Sequence, residues 1–191
     1  MTLFWVFLVC YALGHLSFGR LSQALWRMPQ LHRTGSGNVG ASNVWRVGGA
    51  LPALITLLGD AAKGAAALWV AQYLEPSSLA LTVGGIAVLL GHIYPVLFGF
   101  KGGKGVATAL GMLLMISWPL ALCLLLLWGG VFALSRAPSI ASIVTTTLAP
   151  LLYGFFGGYG LALRIGLISL LVVVSHRKNI ARIVKGGELT L

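Results

Sequence analysis

The chain has 191 residues, 58% hydrophobic and only 8% charged, at a mean hydropathy of +0.95. A soluble domain carries about a quarter of its residues as charges, so a water-bathed fold is excluded and lipid is the solvent for most of the surface. Thirteen Lys and Arg stand against three acids, Asp60, Glu75 and Glu188, which disfavours carboxylate-caged metal chemistry and, in a lipid-soluble chain, points to cytoplasmic anchoring and anionic partners rather than nucleic acid.

In chain order, the first apolar run covers residues 3–18. It has no basic lead-in and no small-residue cleavage site, so it reads as a retained span rather than a cleaved signal. Runs at 51–73 and 79–98 follow, and Pro95 is expected to kink the third helix just beyond His92. The run 106–134 would make one helix of about 45 Å at ~1.5 Å per residue, too long for a ~30 Å hydrocarbon core. Ser117-Trp118-Pro119 offers the break, giving two short helices in a hairpin. Runs at 140–156 and 159–175 are parted by the glycine-rich stretch 154–160. The expected fold is all-α and integral to the membrane, with seven transmembrane helices, some of them short, forming a single polytopic domain over 1–191.

Charge placement gives the orientation. Of the 13 Lys and Arg, all but Lys63 and Arg164 fall in one alternate set of connections. That side is read as cytoplasmic, leaving the N-terminus outside and the C-terminus in the cytoplasm. Trp69, Tyr73, Trp118, Tyr153 and Tyr159 fall at the outer ends, as aromatic belts do. Arg164, about one turn inside, is expected to snorkel. Cys10 and Cys123 lie in apolar runs and read as small lipid- or core-facing residues.

Four cytoplasmic segments do not look like lipid-facing helix. Residues 33–46 hold Gly35, Gly37 and Gly40 in a G-x-G-x-x-G spacing. No strand precedes them, so a dinucleotide fold is a weak reading. The glycines still free backbone N–H groups to face an anion. Ser36, Asn38 and Asn43 add donors and Arg46 a fixed charge; the alternative is a flexible, capped loop. Residues 99–108 resemble a P-loop without being one, since Gly105 follows Lys104 where Ser or Thr is needed. A glycine turn (Gly102, Gly103, Gly105) with Lys101 and Lys104 at a helix start suits phosphate. Plain positive-inside anchoring would explain the lysines but not the glycines. His176 and Asn179 share a helix face at i, i+3, beside the anchoring cations Arg177, Lys178, Arg182 and Lys185. Ser139 and Ser142 open the sixth helix, either as helix caps and small packing residues or as binding groups. Within the helices, Asp60 and Lys63 read as an internal ion pair supporting the site. His92 is open between structural and catalytic roles.

The inventory also excludes chemistry. No H-E-x-x-H motif is present. A histidine base with an aspartate five residues on is absent too, because those positions hold Arg20, Gly37, Leu97 and Ala181. A Ser–His–Asp triad would need Asp60, midway into a span. Catalysis would then rest on positioning and electrostatics, acting on an activated donor.

The segments GSGNVGASNVWR, GHIYPVLFGFKGGKGVAT, SIAS and HRKNIAR, in that order between short apolar helices, resemble the bacterial acyl-phosphate:glycerol-3-phosphate acyltransferases, the PlsY family. D-x-x-K-G at Asp60, Lys63 and Gly64 fits as well. Ser42, where Thr is common, is a conservative departure. The resemblance implies a multi-pass enzyme of the bacterial inner membrane with its active site on the cytoplasmic side. It would move a fatty acyl group from acyl phosphate to the sn-1 hydroxyl of glycerol 3-phosphate, giving lysophosphatidic acid and inorganic phosphate, the first step of phospholipid biosynthesis. It implies no cofactor and no metal. The implied partners are the two substrates and membrane lipid, with an acyl-phosphate-producing enzyme as a candidate. Catalytic roles fall to Ser36, Lys104, His176 and Asn179. Ser36, Arg46 and Lys104 would hold the glycerol 3-phosphate phosphate. His176 and Asn179 would orient its hydroxyl and the acyl carbonyl. Lys104, the backbone at Gly102–Gly105 and Ser142 would bind the acyl phosphate, with Lys101 beside them, and Asn38 and Asn43 would shape the first loop. A small anion transporter is the alternative from another class; the absence of basic loops on the outer side argues against it. A structural subunit leaves the asparagine-rich loop unexplained, and a metal-dependent head-group transferase lacks its carboxylates.

Overall fold

The computed structural model describes all 191 residues. The elements are α1 (Thr2–Gly14), α2 (Phe18–Leu25), α3 (Ala41–Gly48), α4 (Ala50–Leu74), α5 (Ser78–Ile93), a 3₁₀ turn (Val96–Phe98), α6 (Val106–Ile116), α7 (Trp118–Ser135), α8 (Pro138–Ser175) and α9 (Arg177–Val184). There is no strand, which removes the βαβ setting that a dinucleotide fingerprint needs. Five segments are long and apolar enough to cross a membrane: Thr2–Leu25, Ala50–Leu74, Ser78–Phe98, Trp118–Ser135 and Pro138–Ser175. Large apolar side chains such as Leu126, Leu151 and Phe155 stand exposed along them, as helices in lipid allow. The chain divides into two compact units, Met1–Met115 and Ile116–Leu191.

The first unit is held by close backbone approach. A side chain at Gly14 would collide with the Val88 carbonyl, and one at Gly91 with the Tyr11 carbonyl. The α1–α5 crossing therefore requires glycine on both helices. Gly64 and Gly111 do the same where α4 meets α6, against Thr108 and Ala61. Polar groups fasten the helix ends. Tyr11 Oη donates to the Tyr94 carbonyl at 3.0 Å, and the Val96 N–H donates to His15 Nε2 at 3.0 Å. Thr56 Oγ1 donates at 2.8 Å to the Pro52 carbonyl, four residues back, and lies 3.0 Å from Ser22 Oγ. Pro95 does not kink α5 but ends it: α5 stops at Ile93, and Tyr94 leaves the helical region (φ −124°, ψ 61°), which a following proline disfavours.

The second unit is α7, α8 and α9 with the C-terminal tail. Ser117, at φ −160° and ψ 100°, makes the break expected before Pro119. Tyr153 Oη donates to its carbonyl at 3.1 Å. Tyr153 is thus fully buried and belongs to the core of this unit, not to an aromatic belt. The 38-residue α8 is interrupted at Gly158 (φ 77°, ψ 176°), a conformation open in practice only to glycine. The break expected in 154–160 falls there. Three short amphipathic helices, α2, α3 and α9, carry polar chain that an apolar-run reading leaves as connection.

Candidate functional site

The loop before α3 is built around one side chain. Asn43, in the first turn of α3, is fully buried. Its Nδ2 donates to the Leu31, Thr34 and Asn38 carbonyls at 3.1, 3.0 and 2.7 Å, and its Oδ1 accepts the Ser36 N–H at 2.7 Å. Both Nδ2 hydrogens and one Oδ1 lone pair are engaged in shaping the loop, and the side chain is fully buried, so Asn43 reads as a positioning residue. Gly35 has φ +63°, and a side chain there would collide with Asn43 Oδ1. Leu31, Val39, Val44 and Ala53 form a small apolar core beneath. The result is a rigid turn that presents the half-buried Ser36, Asn38 and Arg46. The Ser36 hydroxyl is in none of these bonds.

The glycine loop after α5 is placed by backbone contact. The Gly103 N–H donates to the His92 carbonyl at 3.1 Å. A side chain at Gly102 would strike that carbonyl, and one at Gly103 the His92 ring. Gly102 and Gly103 are therefore packing glycines, and the expectation that their N–H groups cradle a phosphate is corrected for Gly103, whose donor is engaged. Gly105, at φ +84°, turns the chain into α6, whose first return bond is Ala109 N–H to the Gly105 carbonyl at 2.7 Å. The N–H groups just ahead of Ala109 have no acceptor inside the helix, which makes this end receptive to an anion. Lys104 is half-buried beside it and Lys101 is exposed.

Beneath this loop lies a buried ionic cluster. Lys63 Nζ is 2.8 Å from Asp60 Oδ1 and 2.7 Å from His92 Nδ1, and it also donates to the Gly14 carbonyl at 3.2 Å and to the Leu16 carbonyl. One cation thus ties α1, α4 and α5 together. His92 is 6% exposed, with one ring nitrogen on Lys63 and its ring against Gly103, so it supports the loop and does not face a ligand.

The second unit has its own polar cluster. His176 is 1% exposed. Its Nδ1 lies 2.8 Å from the Val172 carbonyl; a carbonyl only accepts, so Nδ1 carries the proton. Ser142 Oγ donates to the Pro138 carbonyl at 2.7 Å and accepts from Trp128 Nε1 at 3.0 Å. Its one proton is engaged, so Ser142 has no donor for a phosphate and reads as a helix-start packing residue. Glu188 gathers the rest. Its Oε1 accepts from Ser139 Oγ and Asn179 Nδ2, both at 2.8 Å, and its Oε2 from Arg182 Nε at 3.1 Å.

Burial alone would raise the Glu188 carboxyl, but hydrogen bonds from Arg182, Asn179 and Ser139 and the guanidinium charge outweigh it and hold it below its ordinary 4.5. A carboxyl lowered by folding adds stability above its unfolded pKa and loses it as the pH falls through the folded value. The melting-temperature gap between the wild type and Glu188→Gln is expected to be full at about pH 7 and to shrink below about pH 4.5. A gap unchanged on acidification would mean that the ionised form is not what these donors stabilise.

Sequence reasoning missed two residues. Arg20, counted only as an anchoring cation, stacks on the Phe98 ring at 4.5 Å and donates to the Lys101 carbonyl at 2.8 Å, holding the glycine loop from below. Glu188 entered only as one of three acids. Its signal was available: an acid in so acid-poor a chain, just after a basic helix, has reason to be there.

The family model for glycerol-3-phosphate acyltransferase matches residues 4–186. A glycerol-3-phosphate acyltransferase of Methylobacillus flagellatus is 46% identical over 190 residues, spanning 95% of this chain and 93% of its own length. One of Pseudoalteromonas translucida is 42% identical over 183 residues, spanning 96% and 90%. Among solved structures, PlsY (YgiH), an integral membrane glycerol 3-phosphate acyltransferase, in its glycerol 3-phosphate form is similar over 100% of this chain and 96% of its own, at TM-score 0.93 and 37% identity. Its lysophosphatidic acid form gives 0.89 at 36% identity with the same coverage.

Proposed function

The chain belongs to the glycerol-3-phosphate acyltransferase family, the PlsY enzymes, and from that premise we propose the reaction in detail. The donor is acyl phosphate, a mixed anhydride already activated. The sn-1 hydroxyl oxygen of glycerol 3-phosphate bonds to the acyl carbon, and the bond from that carbon to the phosphate oxygen breaks. Inorganic phosphate leaves with the electron pair, and the hydroxyl proton ends on a substrate phosphate. Lysophosphatidic acid is the second product, as in the first step of phospholipid synthesis.

The observation that carries this reading is the pairing of a rigid polar turn with a lysine at an open helix start, in a chain with only three acids. Ser36 and Arg46 on the turn, with Lys104 at the start of α6, take the phosphate of glycerol 3-phosphate. Lys104 and the α6 N-terminus also serve the acyl phosphate, and Lys101 adds exposed positive charge nearby. His176 and Asn179 orient the hydroxyl and the acyl carbonyl. With Asp60 paired to Lys63 and Glu188 taken up by Ser139, Asn179 and Arg182, no carboxylate pair is left to hold Mg²⁺ beside substrate phosphates, and the proposed reaction uses no metal. The ends rich in Arg and Lys face the cytoplasm, the N-terminus lies outside, and the two halves of α8 around Gly158 count as separate crossings, as do α6 and α7, giving seven in the bacterial inner membrane.

The test is an assay on purified, detergent-solubilised protein with palmitoyl phosphate and glycerol 3-phosphate in EDTA, following phosphate and lysophosphatidic acid. Both products are expected in equal amounts. Product only from palmitoyl-CoA, or only after metal is restored, would overturn the reading.

A further inference from the structure

Glu188 raises a question that the reaction alone does not answer. Asn179 lies on α9, and its side chain could in principle turn either end of its amide toward substrate. Three observations fix the choice. Asn179 is 2% exposed. One end of its amide contacts Glu188 Oε1 at 2.8 Å. The other end, Oδ1, is buried with no hydrogen-bond partner. An ionised carboxylate offers only acceptors, so the end facing Glu188 must be the NH₂ group. The free end is then a carbonyl oxygen, whichever way an amide might otherwise be assigned. Arg182 and Ser139 hold the carboxylate in place, and the Leu191 N–H bond to the Arg136 carbonyl at 2.9 Å ties down the tail that carries it.

We propose that Glu188 is a positioning residue that locks the Asn179 amide with its oxygen outward, so that Asn179 accepts a hydrogen bond from the attacking hydroxyl of glycerol 3-phosphate. The inference rests on the acyl-transfer reading above. It follows from what each substrate can supply. Ionised phosphate oxygens and the acyl carbonyl are acceptors and would meet Asn179 Oδ1 lone pair to lone pair. The donors are the sn-1 and sn-2 hydroxyls of glycerol 3-phosphate, and of these the sn-1 hydroxyl is the one whose oxygen must be aimed at the acyl carbon. A buried carbonyl without a donor is costly to leave so, and the substrate supplies the missing donor when it binds. Of the two duties assigned jointly to His176 and Asn179, the hydroxyl thus falls to Asn179. The bond aims an oxygen lone pair at the acyl carbon; the proton itself still goes to phosphate.

The test is a reciprocal swap, with each protein checked by melting temperature and then by kcat and KM. Glu188→Gln keeps the shape of the side chain but can donate, so the Asn179 amide is free to turn over. We expect kcat to fall about 10- to 100-fold, the worth of one directed hydrogen bond, with both KM values changed by less than about threefold. Asn179→Asp sets two carboxylates face to face and is expected to lose more. The double variant Asn179→Asp/Glu188→Gln keeps net charge, lets the new amide donate to the new carboxylate, and leaves an acceptor facing the substrate. Recovery to within about tenfold of wild type is expected. A folded double variant no more active than Asn179→Asp overturns the proposal, as does a folded Glu188→Gln with wild-type kcat. Should the variants not fold, competition on the wild type decides. The analogue of glycerol 3-phosphate with an ammonium group for the sn-1 hydroxyl should outcompete the fluoro analogue by at least about tenfold; equal or reversed order overturns the proposal. A wild type inactive with acyl phosphate defeats the acyl-transfer reading instead.

Discussion

Lys104→Ala is expected to lower kcat/KM for glycerol 3-phosphate by about 10²- to 10³-fold, the range seen when one preorganised charge-stabilising group is removed. The expectation comes from position. Lys104 is half-buried at the open start of α6, where backbone N–H groups and the helix dipole already favour an anion. A partly desolvated ammonium there acts in a lower effective dielectric than at the surface. The same residue is assigned to both phosphates, so its loss should show in kcat as well as KM. Arg46→Ala should raise KM for glycerol 3-phosphate more than it lowers kcat, because Arg46 is assigned to the bound phosphate alone. Steady-state kinetics on folded variants checks both, and turnover and KM unchanged in either would remove that residue from the phosphate site.

Lys63→Met is expected to destabilise the protein by roughly 3–5 kcal/mol, the range for breaking a buried pair at one end. Asp60 and Lys63 are each 3% exposed. Without Nζ, the Asp60 carboxyl loses the cation 2.8 Å away, and His92 Nδ1 and the Gly14 and Leu16 carbonyls lose their donor. The double variant Asp60→Leu/Lys63→Met removes the stranded polar partner and should recover part of the loss, since apolar replacement of a whole buried pair is often neutral or better. Thermal unfolding in detergent compares the two. A single variant as stable as the double would show that the pair carries little of the fold. Activity should fall with stability, because His92 and the glycine loop rest on Lys63.

The apolar runs, the breaks at Ser117 and Gly158 and the Asp60–Lys63 pair were legible in the sequence because each depends on residues close together in the chain. Proline geometry, glycine conformation and an i, i+3 spacing are local facts. The roles of Gly102 and Gly103 were not legible. A glycine that lets backbone face an anion and one that makes room for a histidine ring look alike in one dimension, and only the His92 contact separates them. Tyr153 failed for a related reason: an aromatic near a helix end suits the interface or a core bond equally, and the Ser117 carbonyl that claims it is 36 residues away. Asn43 was legible as part of the first loop, yet the way its amide donors and oxygen hold that loop is a matter of four distances. Glu188 shows the limit most clearly, since its partners Ser139 and Asn179 lie 49 and 9 residues off.

The fastenings of α1 also bear on the order in which the protein is made. The Gly14 and Leu16 carbonyls receive their donor from Lys63, and His15 receives its own from Val96, 81 residues later. At about 5–20 residues per second of synthesis, the end of the first helix waits roughly 4 to 16 seconds for its last partner. Through that interval it stands incomplete at the membrane, with polar groups that water, lipid head groups or an insertion factor must satisfy. The first helix to be made is thus among the last to be finished, and a chain truncated before residue 96 should leave α1 far more accessible to protease than the full-length protein does.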